Sequence, residues 1–230
     1  MSRFEVDLTG SRLEKVGNEG IEIVQVSSFF KDSDAVTQAA KSHEFSRINP
    51  HYPGVRAPVE PELLDQLCGA VARLADVHFG KLMGRWTGDA WYSIVTNPPA
   101  SLKPLQRFPH FDGFDDNLFA VMVYVNHSGH GGTAFYRQKS TGFETITEER
   151  FPIYKEQLEA DVRANGLPPA RYFSEGAAYF DKIVDLGAAY NSLILYPGKA
   201  LHSGVIDNAL PLPSDPESGR LTINGFFRPA

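Results

Sequence analysis

The segment that most constrains this chain is Leu118 to Asn126, which reads Leu-Phe-Ala-Val-Met-Val-Tyr-Val-Asn. Strict alternation would leave one face of a strand in water. An unbroken apolar run of strand length must instead be covered on both faces. It is followed by Gly129 to Gly132, which is turn chemistry, and Thr133 to Arg137 reads as a returning strand. A chain with this segment at its centre needs one layer above a sheet and another below it.

The flanking sequence supplies both. Ile21 to Val26 alternates and is rich in β-branched residues, and Trp91 to Thr96, Ser192 to Tyr196, Ser203 to Ile206 and Leu221 to Phe227 also read as strands. Lys31 to His43 reads as a helix with Asp32 or Ser33 as N-cap. A second helix opens at Pro61 and places Leu63, Leu64, Leu67, Val71 and Leu74 on one face. A third opens at Pro152 and runs through Lys155, Leu158 and Val162 to about Gly166. Asn49 to Arg56 is turn chemistry, and Asn208 to Gly219, with three prolines, is a surface loop. Many strands with helices mainly before them predict a mainly β protein, a jelly-roll or cupin-like double-stranded β-helix flanked by helices. In this reading residues 1–89 pack a strand and helices on the core. Residues 90–230 form the core itself, with a helical insertion at about 138–187.

The 230 residues suffice for one sizeable core, and 42% hydrophobic with 22% charged residues is ordinary for a soluble domain. A net charge of −6 argues against nucleic-acid and anionic-membrane partners. The single Cys68 excludes an internal disulfide, suits a reducing cytoplasm, and sits in an apolar helical stripe as an inert thiol. The N-terminal residues have no apolar h-region and no apolar run reaches bilayer length. The expectation is a soluble, cytoplasmic protein.

Two short segments carry chemistry. In His110-Phe111-Asp112 the imidazole and the carboxylate are two residues apart, so on extended backbone they share a face. His202 follows a strand and a Tyr-Pro-Gly turn. Two imidazoles and one carboxylate form the facial set of non-haem Fe(II) oxygenases, which leaves positions open for co-substrate and O2. Arg220 opens the last strand in phase with Thr222 and Asn224, and offers a fixed cation to a dicarboxylate. Tyr92, on the first core strand, is a candidate for a further hydroxyl contact, with a packed aromatic as the plainer reading. His-x-Asp alone is a weak signal; its position before the buried strand gives it weight.

Other features have bland readings. His127-x-x-His130 lies in a Gly-rich turn and reads as solvated histidines. Asp115 and Asp116 compete with Asp112 as carboxylate ligand, but Asp112 has the right strand phase. Lys103 and Arg107 are a substrate-facing pair or solvated surface. Tyr52, Arg56, Tyr136 and Phe173 are candidates for a substrate-side wall. The 138–187 insertion is the candidate lid.

The segment from Tyr92 to Phe227 resembles the 2-oxoglutarate/Fe(II)-dependent dioxygenase superfamily in its prolyl-hydroxylase-like branch. The resemblance rests on His110-Phe111-Asp112, the apolar strand Val121 to Asn126, Gly131-Gly132-Thr133-Ala134-Phe135, the run from Leu193 through Pro197-Gly198 to His202, and Arg220 with Thr222. Tyr52-Pro53-Gly54 and Asn191 to Pro197 also resemble an uncharacterised bacterial group within it. The resemblance implies an oxygenase that hydroxylates a C–H bond with Fe(II), 2-oxoglutarate and O2. His110, Asp112 and His202 would hold the metal and Arg220, Thr222 and Tyr92 the co-substrate. Two spacings depart from the pattern: Asp112 to His202, lengthened by the insertion, and His202 to Arg220, lengthened by the Asn208–Gly219 loop. The alternatives are a cupin-type metal enzyme that does not use 2-oxoglutarate and a non-catalytic β-helix binding domain. An aspartate at position 112 argues for hydroxylation over halogenation, since the halogenases of this superfamily have a small residue there. The substrate, a small molecule or a peptide, is not legible, and neither is the oligomeric state.

Overall fold

The computed structural model describes residues 2–48, 50–80, 84–125, 129–173 and 178–230. In chain order the elements are β1 (Ser11–Val16), β2 (Ile21–Val26), α1 (Ser33–Lys41), β3 (Gly54–Pro58), α2 (Pro61–Phe79), β4 (Trp86–Val95), β5 (Phe119–Tyr124), β6 (Thr133–Gln138), α3 (Phe151–Asn165), β7 (Phe180–Asp185), β8 (Ser192–Pro197), β9 (His202–Gly204) and β10 (Leu221–Pro229). Seven strands form one sheet in the order β1-β2-β8-β5-β10-β4-β3, and three form a smaller one, β7-β6-β9. Every pairing among them is antiparallel. Two such sheets facing one another make the double-stranded β-helix.

β5 explains why the apolar run must be buried on both sides. It lies between β8 and β10 in the middle of the large sheet. Val121 and Val123 point to a core shared with α1 and α2, while Ala120 and Met122 join the core between the sheets with Phe135 of β6. α1 and α2 cover the outer face through Val36, Ala40, Leu63, Leu67, Val71 and Leu74. Each of these valines and leucines removed from water contributes about 1.5–3 kcal/mol. Asp32 caps α1, its Oδ1 accepting the Ala35 N–H at 3.0 Å, and α3 packs Tyr154, Leu158 and Val162 beside the small sheet.

Three strands go beyond the sequence reading. The turn assigned to residues 49–56 stops short: β3 begins at Gly54, where any Cβ would lie 2.0 Å from the Ile94 carbonyl oxygen. Glycine there permits the close pairing that puts Arg56 opposite Ser93. β1 completes a hairpin with β2, and β7, within the 138–187 insertion, pairs with β6 across a register shift between Phe135 and Tyr136. The residues before position 90 therefore supply three whole strands and the start of β4 to the large sheet. Among the described residues no helix is long and apolar enough to cross a membrane.

Candidate metal centre

The backbone places the three ligands before any side chain does. His110 and His202 form an isolated antiparallel bridge, and β9, which His202 opens, pairs with β6. The Asp112 N–H donates to the Gly198 carbonyl at 2.7 Å, which pins the acidic residue to the turn after β8. His110 and Asp112 lie on this extended segment two residues apart and so turn their side chains the same way.

One donor atom from each of His110, Asp112 and His202 lies within 4.8 Å of the others, the one such group among the described residues. His202 Nε2 is 3.5 Å from Asp112 Oδ2, and His110 Nε2 is 3.9 Å from Asp112 Oδ1. The His202 and Asp112 side chains are 6% and 11% exposed and that of His110 is 57% exposed, so the centre opens to solvent past His110. Burial pushes the Asp112 carboxyl up to about 6 and the His202 imidazole down to about 4.

Hydrogen bonding then tests whether a cation fits. His202 Nδ1 lies 2.9 Å from the Ala200 carbonyl, which can only accept, so Nδ1 carries the proton and Nε2 presents a lone pair. Asp112 Oδ2 is buried with no hydrogen-bond partner. Two acceptors therefore face each other in a nearly dry position, an arrangement that a divalent cation between them satisfies. The donor set fits the metal expected for two imidazoles and a carboxylate.

Behind the ligands, the inner face of the large sheet carries a polar row. Arg56 of β3, Ser93 of β4, Thr222 of β10 and Tyr124 of β5 are direct cross-strand neighbours in sequence of strands, and all are buried. Arg220, two residues before Thr222, is 4% exposed, with its guanidinium 5.7 Å from the Tyr124 ring centre. Its Nε and Nη2 donate to the Gly131 carbonyl, and Nη2 also donates to that of Gly132, at 3.0–3.2 Å. That edge of the fork is occupied, leaving Nη1 for a ligand. The Thr222 hydroxyl donates to Asn224 Oδ1 at 2.7 Å. Tyr124, whose hydroxyl meets Thr133 Oγ1 at 2.9 Å, belongs to this wall and was not singled out from the sequence.

Tyr92 requires a correction. It lies on the helix-facing side of β4, and its hydroxyl donates to Glu60 at 2.9 Å, so it does not reach the centre. Its neighbour Ser93 is the inward-facing residue. Asp115 accepts the Asn117 N–H and Asp116 pairs with Lys199, so neither joins the triad. Arg107 donates to the carbonyls of Leu102 and Pro168 and holds the chain together there. Lys103 reaches the Pro50 carbonyl. His130 is buried, not solvated, and its Nε2 lies 3.2 Å from the Pro211 carbonyl; His127 lies outside the described residues. Phe173 and Tyr136 pack together in the core under α3.

Fold and side chains together define a double-stranded β-helix protein with two histidines and an aspartate grouped at one mouth. Among solved structures, a non-haem alpha-ketoglutarate-dependent carbocyclase of nogalamycin biosynthesis, SnoK, superposes with a TM-score of 0.50 at 10% identity, over 90% of this chain and 79% of that one. A Pseudomonas putida prolyl-4-hydroxylase gives 0.49 at 14% identity over 90% and 92%. HygX from Streptomyces hygroscopicus, with nickel, 2-oxoglutarate and hygromycin B bound, gives 0.48 at 9% over 90% and 82%. No curated protein matches the sequence. The chain belongs to DUF6445, a family of unknown function, whose model matches residues 9–227.

Proposed function

We propose that this protein is an Fe(II)- and 2-oxoglutarate-dependent oxygenase that hydroxylates a C–H bond of an organic substrate. The observation that carries the reading is the lone pair of His202 Nε2 facing the unpartnered Oδ2 of Asp112, with His110 completing the set. With Fe(II) and 2-oxoglutarate bound, O2 would be the oxidant, one oxygen atom entering succinate as 2-oxoglutarate loses CO2 and the other entering the substrate C–H bond as a hydroxyl. His110, Asp112 and His202 hold the metal, and the bond from Nδ1 to Ala200 fixes the ring of His202. Nη1 of Arg220 takes the far carboxylate of the co-substrate, with Tyr124 beneath the guanidinium and Thr222 beside it. The sheet excludes water from this end of the site.

Anaerobic titration of the apo-protein with Fe(II), with and without 2-oxoglutarate, tests the reading. A weak visible band near about 500 nm that requires both components is expected for a 2-oxo acid chelating non-haem Fe(II). Iron binding without the band would point to a metal enzyme that does not use 2-oxoglutarate. Absence of iron binding would leave a binding domain.

A further inference from the structure

The inner wall holds a second guanidinium that the co-substrate does not need. Arg56 is 9% exposed, and its Nε is buried with no hydrogen-bond partner. Among the described residues its side chain makes no ion pair; its contacts are the faces of Tyr52, 4.0 Å from the ring centre, and Trp91, at 5.4 Å. The Tyr52 hydroxyl is likewise buried without a hydrogen bond of normal geometry. A buried cation with an unused Nε–H is costly unless an anion completes it. Stacking on two aromatic rings fixes the plane of the fork while leaving its edges free.

Position separates the two arginines. Arg56, on β3 opposite Ser93, stacks on Tyr52 at 4.0 Å, and its charge also acts on Asp112 and His110. Arg220 is held instead by the Gly131 and Gly132 carbonyls over the Tyr124 ring. A 2-oxo acid chelating the metal holds its far carboxylate away from it, which matches Arg220. Charge leads to the same assignment. A divalent metal with Asp112 leaves one positive charge, and the two guanidiniums raise it to three. 2-Oxoglutarate removes two, and one positive charge remains beside the metal for a monoanion.

We propose that Arg56, presented on Tyr52, is the receptor for a carboxylate of the organic substrate, so that the protein acts on a small carboxylic acid held beside the metal ligands. This rests on the oxygenase reading. Arg56 acts as a specificity residue: it grips the acid through two parallel N–H···O bonds, which lysine cannot reproduce.

The test uses acetate as the probe and acetamide as its neutral control, with metal-loaded protein saturated with 2-oxoglutarate. The Arg56 Nε–H resonance, assigned by its loss in Arg56→Lys, should shift saturably with acetate and stay put with acetamide. In parallel, 2-oxoglutarate affinity followed by the visible band should change by less than about twofold in Arg56→Met and fall by more than about tenfold in Arg220→Met. An Arg56 resonance indifferent to acetate would overturn the proposal. So would a loss of 2-oxoglutarate affinity in Arg56→Met as large as that in Arg220→Met, which would make Arg56 a co-substrate anchor. If the wild-type protein shows no band with 2-oxoglutarate, the oxygenase reading fails on its own, and the acetate titration of the metal-loaded protein still reads Arg56.

Discussion

His110 and His202 exchange both of their backbone hydrogen bonds: the N–H of His110 donates to the carbonyl of His202 at 2.9 Å, and that of His202 to the carbonyl of His110 at 2.8 Å. Residues paired in this way project their side chains from the same face, and the two rings stand 4.4 Å apart between centres. Main-chain pairing, not side-chain packing, therefore sets the spacing of two of the three candidate ligands. The long interval in sequence between them is irrelevant once the bridge forms.

This geometry opposes stability to metal binding at Asp112. Without a cation, Oδ2 faces the His202 Nε2 lone pair at 3.5 Å. Asp112→Asn puts a donor there and removes a nearly buried charge. In metal-free protein it should be as stable as wild type or more stable by about 1 kcal/mol, while metal affinity falls by more than about tenfold. Conversely, chelation of the metal-loaded wild type should lower its melting temperature, since a ligand at about 100 times its Kd stabilises by about 2.7 kcal/mol. Thermal melts of both proteins with and without chelator check this. A wild-type Tm indifferent to chelator, in protein shown to have bound metal, would contradict it.

The grouping of His110, Asp112 and His202 was legible because His-x-Asp on extended backbone shares a face and stands just before the buried strand. The central strand was legible because its apolar run has no other solution in a sheet. Tyr92 proves to be the packed aromatic: Ser93 faces inward, and a step of one residue along a strand exchanges the two faces. Arg56 was legible only as a vague wall residue, because β3 lies in a Pro- and Gly-rich stretch whose pairing with β4 is a long-range fact. β1 is an edge strand with exposed positions, and β7 is an edge strand with a register shift, so neither carries the pattern of a buried strand. The hold on Arg220 by the Gly131 and Gly132 carbonyls likewise depends on a turn meeting a strand 88 residues away.

That turn has no room for a side chain. At Gly132 a Cβ would lie 1.7 Å from the Gly187 carbonyl oxygen, which is backbone and cannot swing aside. Gly132→Ala must therefore shift the carbonyls that hold Arg220. It should cost about 2 kcal/mol or more and weaken 2-oxoglutarate binding with it. Gly69, within α2, would meet nothing within 4 Å, so Gly69→Ala should stabilise by about 0.5–1 kcal/mol through helix propensity. Urea unfolding of the two variants gives the comparison, and equal midpoints would refute the steric account.

Far from the metal, Glu144 locks the β1–β2 turn to the small sheet, and this predicts an acid-sensitive joint. Its side chain is fully buried and accepts the N–H groups of Asn18 and Glu19 at 3.0 and 2.9 Å and the guanidinium of Arg137. Glu19 answers from the other side, accepting from Thr145 and Arg150. Burial alone would push the Glu144 carboxyl up, but these backbone donors and Arg137 outweigh it and hold the group below the ordinary 4.5. A depressed folded value means the carboxylate stabilises fully above the unfolded value and loses that contribution as pH falls through the folded one. Glu144→Gln keeps the shape and removes the charge, so it should cost about 2 kcal/mol at neutral pH. The gap between wild type and variant, followed by urea midpoints from about pH 7 to pH 3, should close at the acid end. A gap that stays constant across the range would mean that the pairing, and not the charge, supplies the stability.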